Sequence, residues 1–324
     1  MSLVFLLLCP LSAFSQTTGE EATVLRAARL LDVRTGEVMT PGVIVVEGQS
    51  IISLGDETIP PGAHVVELGN TTLLPGLMDM HTHLNLDMLE GWETRPATET
   101  PELNALRGVP YARTTLHAGF TTVRDLGSAI GFADVALKQA IEAGWVEGPR
   151  MITAAHAISI TGGHYDITGF APGVLEVGPE TGVADGVAEV LKAVRYQIKH
   201  GAGVVKVAAS GGVLSFGESA GNAQYSVEEL RAIVEEAERH GLKVAAHAHG
   251  TEAIKNAVRA GVHSIEHGSM LDDEAIEMMI ERGTYLVPTL FAWFIPYEPP
   301  PELREKYAYV KGFVDQSVRS AIAA

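Results

Sequence analysis

His81-Thr82-His83 closes the apolar run at 72–80. If that run is a β-strand, residues two apart share a face, and both imidazoles leave the strand end side by side. Neutral imidazole is a common donor to zinc and related ions, so the pair suits two ligands of one metal. An H-x-H spacing arises by chance in many chains, and its weight here comes from its company. Lys206, His247 and His267 also stand near the ends of short apolar runs. The single cysteine, Cys9, excludes a cysteine metal cluster and an intrachain disulfide framework. Any metal would therefore have to be held by histidine, carboxylate or modified lysine.

Three further residues have chemistry open to them. His249 shares a strand face with His247 and is read either as a substrate contact or as a hydrogen-bonded support for the ligands. His164 follows Gly162-Gly163 beyond the third strand, where loops carry function, and is read as a substrate contact. Tyr225 lies in the long loop after the fourth strand, where packing on the barrel rim is its plain reading. His64, His117, His156, His200, His240 and His263 lack ligand spacing.

The elements that must position these groups repeat one grammar. A helix ends at glycine, four to six apolar or β-branched residues follow, and then a polar residue appears. Runs at 118–125, 200–207, 240–247, 260–267 and 282–289 all obey it. Glycine just past a helix supplies the left-handed cap, and each run reads as a strand buried on both faces. The intervening helices include Val227–Arg239, opened by Ser226 with Glu228 and Glu229 in its first turn. This alternation predicts an α/β fold with a parallel sheet closing toward a (β/α)8 (TIM) barrel. Strands are expected at 73–80, 121–126, 150–158, 204–209, 243–248, 263–267 and 285–290, one fewer than the eight of a closed barrel. The chain stops at Ala324, within or just after a helix at 305–323, so it reads as a barrel lacking its eighth strand.

Ahead of the barrel the pattern changes. Short strands at 24–32, 42–48 and 50–55, separated by Gly and Pro turns without helices, predict a small antiparallel sheet. The expected organisation is a signal peptide at 1–15, the N-terminal part of a β-sandwich at 16–70 and the incomplete barrel at 71–324. The apolar run 3–11 is too short to span a bilayer, and the small residues Ala13 and Ser15 stand three and one before a cut after Ser15, which predicts export with no membrane attachment afterwards. A chain of 324 residues with net charge −17 has room for a large core, and its acidity argues against nucleic acid or an anionic membrane as partner. A homo-oligomer stays open.

The stretches Leu74-Pro75-Gly76-Leu77-Met78-Asp79-Met80-His81-Thr82-His83, Val205-Lys206, Ala246-His247-Ala248-His249-Gly250 and Ile265-Glu266-His267-Gly268 resemble the amidohydrolase superfamily. Gly119-Phe120-Thr121-Thr122-Val123-Arg124-Asp125, Gly148-Pro149-Arg150, Thr161-Gly162-Gly163-His164 and Gln224-Tyr225-Ser226 narrow the likeness to the imidazolonepropionase-like metal-dependent dipeptidases, often called Xaa-Pro dipeptidases. The resemblance runs from about Val24 to the last residue. It implies a distorted barrel with a centre of two divalent ions, usually zinc, at the C-terminal mouth of the strands. By that resemblance His81 and His83 hold the first ion, His247 and His267 the second, and Lys206 bridges both as N6-carboxylysine. A lysine inside Val204-Val205-Lys206-Val207-Ala208 is costly to bury as an ammonium, whereas a carbamate between two cations is a paired anion.

Family likeness also gives Tyr225 a hydrogen bond to substrate near the scissile carbonyl. It further requires an aspartate at the end of an eighth strand, for which no residue here qualifies; Asp315 is helical and misplaced. The implied activity is hydrolysis of C–N amide bonds in small substrates, dipeptides or N-acyl amino acids, by a metal-activated hydroxide, with Tyr225 and His164 assisting the oxyanion. Two alternatives stand beside it. One is a cyclic amidohydrolase, and the other is an inactive fragment.

Overall fold

The computed structural model describes residues 21–56, 58–87, 91–216, 219–294 and 298–324, so the signal-peptide expectation lies outside the described residues. Two compact units meet in sequence at Pro75/Gly76.

The first unit carries strands β1 (Thr23–Ala27), β2 (Arg29–Leu31), β3 (Val38–Met39), β4 (Gly42–Glu47), β5 (Ser50–Leu54), β6 (His64–Glu67) and β7 (Thr72–Leu73). They form two sheets, ordered β5-β4-β1-β6 and β3-β2-β7. The antiparallel sheet expected here is mixed. β1 pairs antiparallel with β4, but parallel with β6, and β2 pairs parallel with β7. The chain returns to β1 and β2 through a long connection instead of a hairpin, and that permits the parallel sense. Val24, Val43 and Val45 are its buried core.

In the second unit, parallel strands alternate with helices. The strands are β8 (Leu77–Thr82), β9 (Phe120–Asp125), β10 (Arg150–Thr153), β11 (Val205–Ala208), β12 (Val244–Ala248), β13 (Ser264–His267) and β14 (Tyr285–Val287). The helices are α1 (Arg95–Thr98), α2 (Pro101–His117), α3 (Ala133–Glu142), α4 (Gly186–Lys199), α5 (Val227–Arg239), α6 (Thr251–Ala260), α7 (Asp273–Arg282), α8 (Phe291–Phe294) and α9 (Arg304–Ala323). β8, β9 and β10 form one sheet, β11 to β14 another, and a parallel bridge between Ile158 and Val207 joins them. The wall of strands is not closed: among the described residues β8 pairs only with β9 and β14 only with β13.

Several expected strands are shorter than read, the last of them ending at Val287, before Pro288. The first is interrupted by Pro75-Gly76, because proline has no N–H to give a ladder. The third ends at Thr153, and Ala155 then adopts φ 61°, so only Ile158 rejoins the wall.

Local chemistry accounts for the helix ends. Ser226 Oγ accepts from Glu229 N at 3.2 Å while Glu229 Oε2 accepts from Ser226 N at 2.9 Å, a capping box opening α5. Gly261 and Gly283 close α6 and α7 in the left-handed region. Alternation then divides the strands' side chains between two faces. Val205, Val207, Val244, Ala246, Ala248 and Ile265 pack outward with Leu230, Ile233 and Ile254 of the helices. Lys206, Ala245, His247 and Glu266 occupy the alternate positions, facing inward. Truncating one of the fully buried leucines or isoleucines to alanine would cost about 2–5 kcal/mol.

Candidate metal centre

Six imidazoles converge at the C-terminal ends of the strands. His81 leaves β8, and His83 follows two residues later with its ring centroid 5.3 Å away. His247 ends the inward face of β12, with His249 at 4.6 Å. His267 lies 4.9 Å from His81, 4.7 Å from His247 and 4.8 Å from His249, and so links the two pairs. His164, from the loop after β10, stands 4.1 Å from His247. β8 ends at Thr82, so His83 stands just past the strand on which a shared face was expected, with its ring beside that of His81. His267 needs a departure from strand geometry. Next to inward Glu266 it would point outward, but its φ of 71° turns the ring into the cluster.

The partners of the rings decide which nitrogens are free. His81 Nδ1–H donates to Glu266 Oε2 at 2.8 Å, and His83 Nδ1–H donates to the Gly127 carbonyl at 3.0 Å. Both acceptors lack protons, so both rings present a bare Nε2. His247 is reversed, since its Nε2–H donates to Gly211 O at 3.2 Å and its buried Nδ1 has no partner. His164 Nδ1 meets Ser215 Oγ at 2.9 Å, His249 Nδ1 meets Ser269 Oγ at 2.8 Å, and His267 Nδ1 meets Thr289 Oγ1 at 2.7 Å. Buried rings with one nitrogen committed and the other bare are the arrangement of metal-ligating histidine.

Burial keeps these rings neutral, the state in which they can donate. Desolvation, followed by the nearby Lys206 and neighbouring rings, holds His81 well below the usual histidine range. Burial lowers His83 to about 4 and His249 to about 3, and drives His247, His267 and His164 well down. Ligand atoms of His247, His249 and His267 all lie within 4.8 Å of one another, close enough for one ion. His249, expected to touch substrate, thus stands among the candidate ligands.

Lys206 is the other half of the test. It is fully buried on the inward face of β11, and its Nζ has no hydrogen-bond partner. Burial lowers it to about 7, with Glu266 raising it and Arg124 lowering it. An orphaned, easily deprotonated amine among bare imidazoles fits a group that is modified or metal-linked.

Tyr225 is not brought to the rings. It is buried in the core between strands and helices, and its hydroxyl donates to Ala184 O at 2.7 Å. The hydroxyl for which catalytic and substrate contacts were expected is engaged here by the Ala184 carbonyl. The tyrosine near the site is Tyr165, whose ring lies 4.4 Å from His164 and 6.0 Å from His247, and burial raises its phenol. Trp293, 5.9 Å from His249, borders the same region. Asp315 is exposed on α9 and pairs with Arg319 at 2.8 Å, as its helical placement predicted.

Sequence reasoning also missed the groups behind the rings. Arg124, Glu266, Ser269, Thr289 and Ser215 hold or surround the histidines from other strands and loops. Arg124 and Glu266 sit in quoted motifs, and a charged residue inside an apolar run was the available signal.

The amidohydrolase family profile matches residues 72–299. Ochratoxinase of Aspergillus niger is 34% identical over 330 residues, covering 94% of this chain and 67% of that protein. A crystal structure of a Xaa-Pro dipeptidase with methionine bound in its active site superposes with TM-score 0.85 at 36% identity, covering 94% of this chain and 77% of the other. A prolidase complexed with N-methylphosphonate-L-proline gives 0.85 at 35% identity over 93% of this chain and 76% of that one.

Proposed function

The chain belongs to the amidohydrolase family, and we propose that it hydrolyses the amide bond of dipeptides or N-acyl amino acids at a centre of two divalent ions, zinc first among them. The observation that carries this reading is the set of bare nitrogens. His81 and His83 offer Nε2 from one strand end, and His247 offers Nδ1 from another. In this reading His81 and His83 would hold one ion, His247 and His267 the other, and Lys206, as a carbamate, would serve both. Bound there, the ions would supply an acidified water and a Lewis acid for the amide carbonyl.

The chain's own residues do the rest. Glu266 and the Gly127 carbonyl orient His81 and His83. His164, held by Ser215 beside His247, contacts the substrate at the carbonyl end, with Tyr165 adjacent. His249 and Trp293 border the substrate on the other side. The buried strands β11, β12 and β13 back the rings on one side. A small-molecule substrate agrees with the dipeptide-cleaving relatives in name.

The test is to load the chain with zinc or cobalt, count bound metal by mass spectrometry, and assay dipeptides, N-acyl amino acids and cyclic amides. About two ions per chain and metal-dependent cleavage of linear amides support the reading. Faster ring opening of cyclic amides would replace it with a cyclic amidohydrolase. Metal binding without turnover on any of the three would leave a binding protein.

A further inference from the structure

We propose that Glu266, itself locked by Arg124, is a positioning residue that sets which nitrogen of His81 faces the metal. This rests on the reading of His81 as a ligand and adds to it a control reaching across the barrel interior.

The geometry is closed on every side. Arg124 Nη2 donates to Glu266 Oε1 at 2.7 Å, and Glu266 Oε2 accepts from His81 Nδ1–H at 2.8 Å. Ser264, two residues earlier on the same face of β13, donates its Oγ–H to Glu266 Oε1 at 2.6 Å, and its Oγ accepts from Arg124 Nη1 at 3.0 Å. Arg124 Nε donates to Met80 O at 2.7 Å, the carbonyl just before His81. One guanidinium therefore fixes both the backbone leading into His81 and the carboxylate behind its ring. The three strands involved, β8, β9 and β13, are not consecutive in the wall. Glu266 has no exposed surface and Arg124 is 5% exposed.

A buried ion pair tying strands together would explain Arg124 and one oxygen of Glu266. It does not explain why the second oxygen is spent on the ring nitrogen opposite the metal side. A carboxylate accepts only, so His81 must carry its proton on Nδ1 and leave Nε2 bare. Glutamine at this position would be nearly isosteric but would have one donor and one acceptor end. Arg124 and Ser264 present donors to the Oε1 side, so they draw the amide oxygen toward themselves. The amide NH2 then faces His81 Nδ1, which must become an acceptor. The proton moves to Nε2 and blocks the ligand lone pair.

The experiment reads tautomer and metal separately. Long-range 1H–15N spectra of the metal-free chain report which His81 nitrogen is protonated, and competition with a chromophoric chelator gives zinc affinity. The wild type is expected to be protonated on Nδ1. Glu266→Gln is expected to move the proton to Nε2 and to weaken zinc binding about 10–100-fold. Arg124→Met with Glu266→Gln removes the guanidinium donors, lets the amide oxygen turn back to His81, and should restore both readings toward wild type.

Glu266→Gln leaves a buried cation unpaired and can fail to fold. The neutral doubles Arg124→Met/Glu266→Gln and Arg124→Met/Glu266→Leu then make the comparison, since only the first keeps an acceptor for Nδ1–H. The proposal predicts tighter zinc binding and a fixed tautomer in the first. Equal affinity and equal tautomers in the two doubles, or an unchanged tautomer in a folded Glu266→Gln, overturns it. A wild type with the Nδ1–H tautomer that takes up no zinc instead removes His81 as a ligand, while the control of its tautomer by Glu266 stands.

Discussion

His267 Nδ1 lies 2.7 Å from Thr289 Oγ1, and both residues hold positive φ, 71° and 47°. Neither is glycine, and a β-branched threonine is strongly disfavoured there, so each costs on the order of 1–3 kcal/mol. His267 ends β13, Thr289 follows two residues after the end of the neighbouring β14, and the two strained residues meet through this contact. Together they bring the His267 ring among the other imidazoles and offer its Nδ1 a hydroxyl partner.

Replacing Thr289 with valine keeps the shape and the backbone demand but deletes the oxygen. We expect zinc affinity to fall about 10–100-fold, as for other lost partners of ligating histidine, with melting temperature little changed. Thr289→Ser should retain wild-type affinity. Equal affinity in the valine variant, measured by chelator competition, would show that the hydroxyl does not orient the ring.

For Lys206, substitution by alanine should lower both bound metal and turnover. Its amine, brought to about 7 by burial, is available in neutral form near neutrality to take up carbon dioxide. Short carboxylic acids added with metal should partly restore both losses. An unmodified lysine in a fully active, metal-loaded protein, seen by mass spectrometry under non-acidic conditions, would refute the carbamate.

Much of this architecture was legible because it is local. Glycine caps, Ser226 with Glu229, and apolar runs ending in His or Lys are written within ten residues, and they placed β11, β12 and β13 and five candidate ligands. What was missed depends on contacts far apart in sequence. Glu266 meets His81 across 185 positions, and Arg124 meets Glu266 across 142. Tyr225 fits its motif, yet Ala184 O takes its hydroxyl, a partner no spacing rule reveals. The early end of β10 follows from the backbone at Ala155, a residue type that gives no warning of positive φ.

Gly212 offers a steric test of His164. A Cβ there would lie 2.0 Å from Cε1 and 2.1 Å from Nδ1 of the His164 ring, so Gly212→Ala must displace the imidazole. The expected result is at least about a tenfold loss in kcat/KM, roughly 1.4 kcal/mol of transition-state stabilisation, with metal content unchanged. Full activity in a folded Gly212→Ala protein would remove His164 from the substrate site.

Asp125 and Asp134 give a pH dependence away from the rings. Both are fully buried, and each has one Oδ1 without a hydrogen-bond partner. Burial raises Asp134 to about 7, while burial and then the Asp134 charge raise Asp125 well above the usual carboxylate range. The folded chain thus holds protons that the unfolded chain releases above about pH 4. Their contribution is complete below that value and is lost as pH rises toward 7 and beyond. Asp134→Asn keeps an acceptor for Ala155 N–H, which now donates to Asp134 Oδ2 at 2.8 Å. It should stabilise the protein relative to wild type at pH 8, on the order of 2 kcal/mol, and much less at pH 5. An equal shift in melting temperature at both pH values would show that the pair does not titrate in this range.

The seam between β14 and β8 carries the last prediction. Among the described residues each strand has one strand partner, so the other side of each carries backbone donors and acceptors that pair with no described strand. Apolar side chains stand exposed along the same strands, with Met78 at 68%, Tyr285 at 64% and Leu77 at 44%. An unpaired edge flanked by apolar side chains is a template for association with another chain. The chain of 324 residues should therefore self-associate in a concentration-dependent way despite its charge of −17. Because the force is apolar contact plus strand pairing, Met78→Lys with Tyr285→Lys should shift the population toward monomer in light scattering coupled to size exclusion. Both positions stand at the N-terminal ends of their strands, opposite the clustered imidazoles, and the substitutions should leave zinc affinity unchanged. A wild-type chain that stays monomeric across a hundredfold range of concentration would show that the seam is covered in solution.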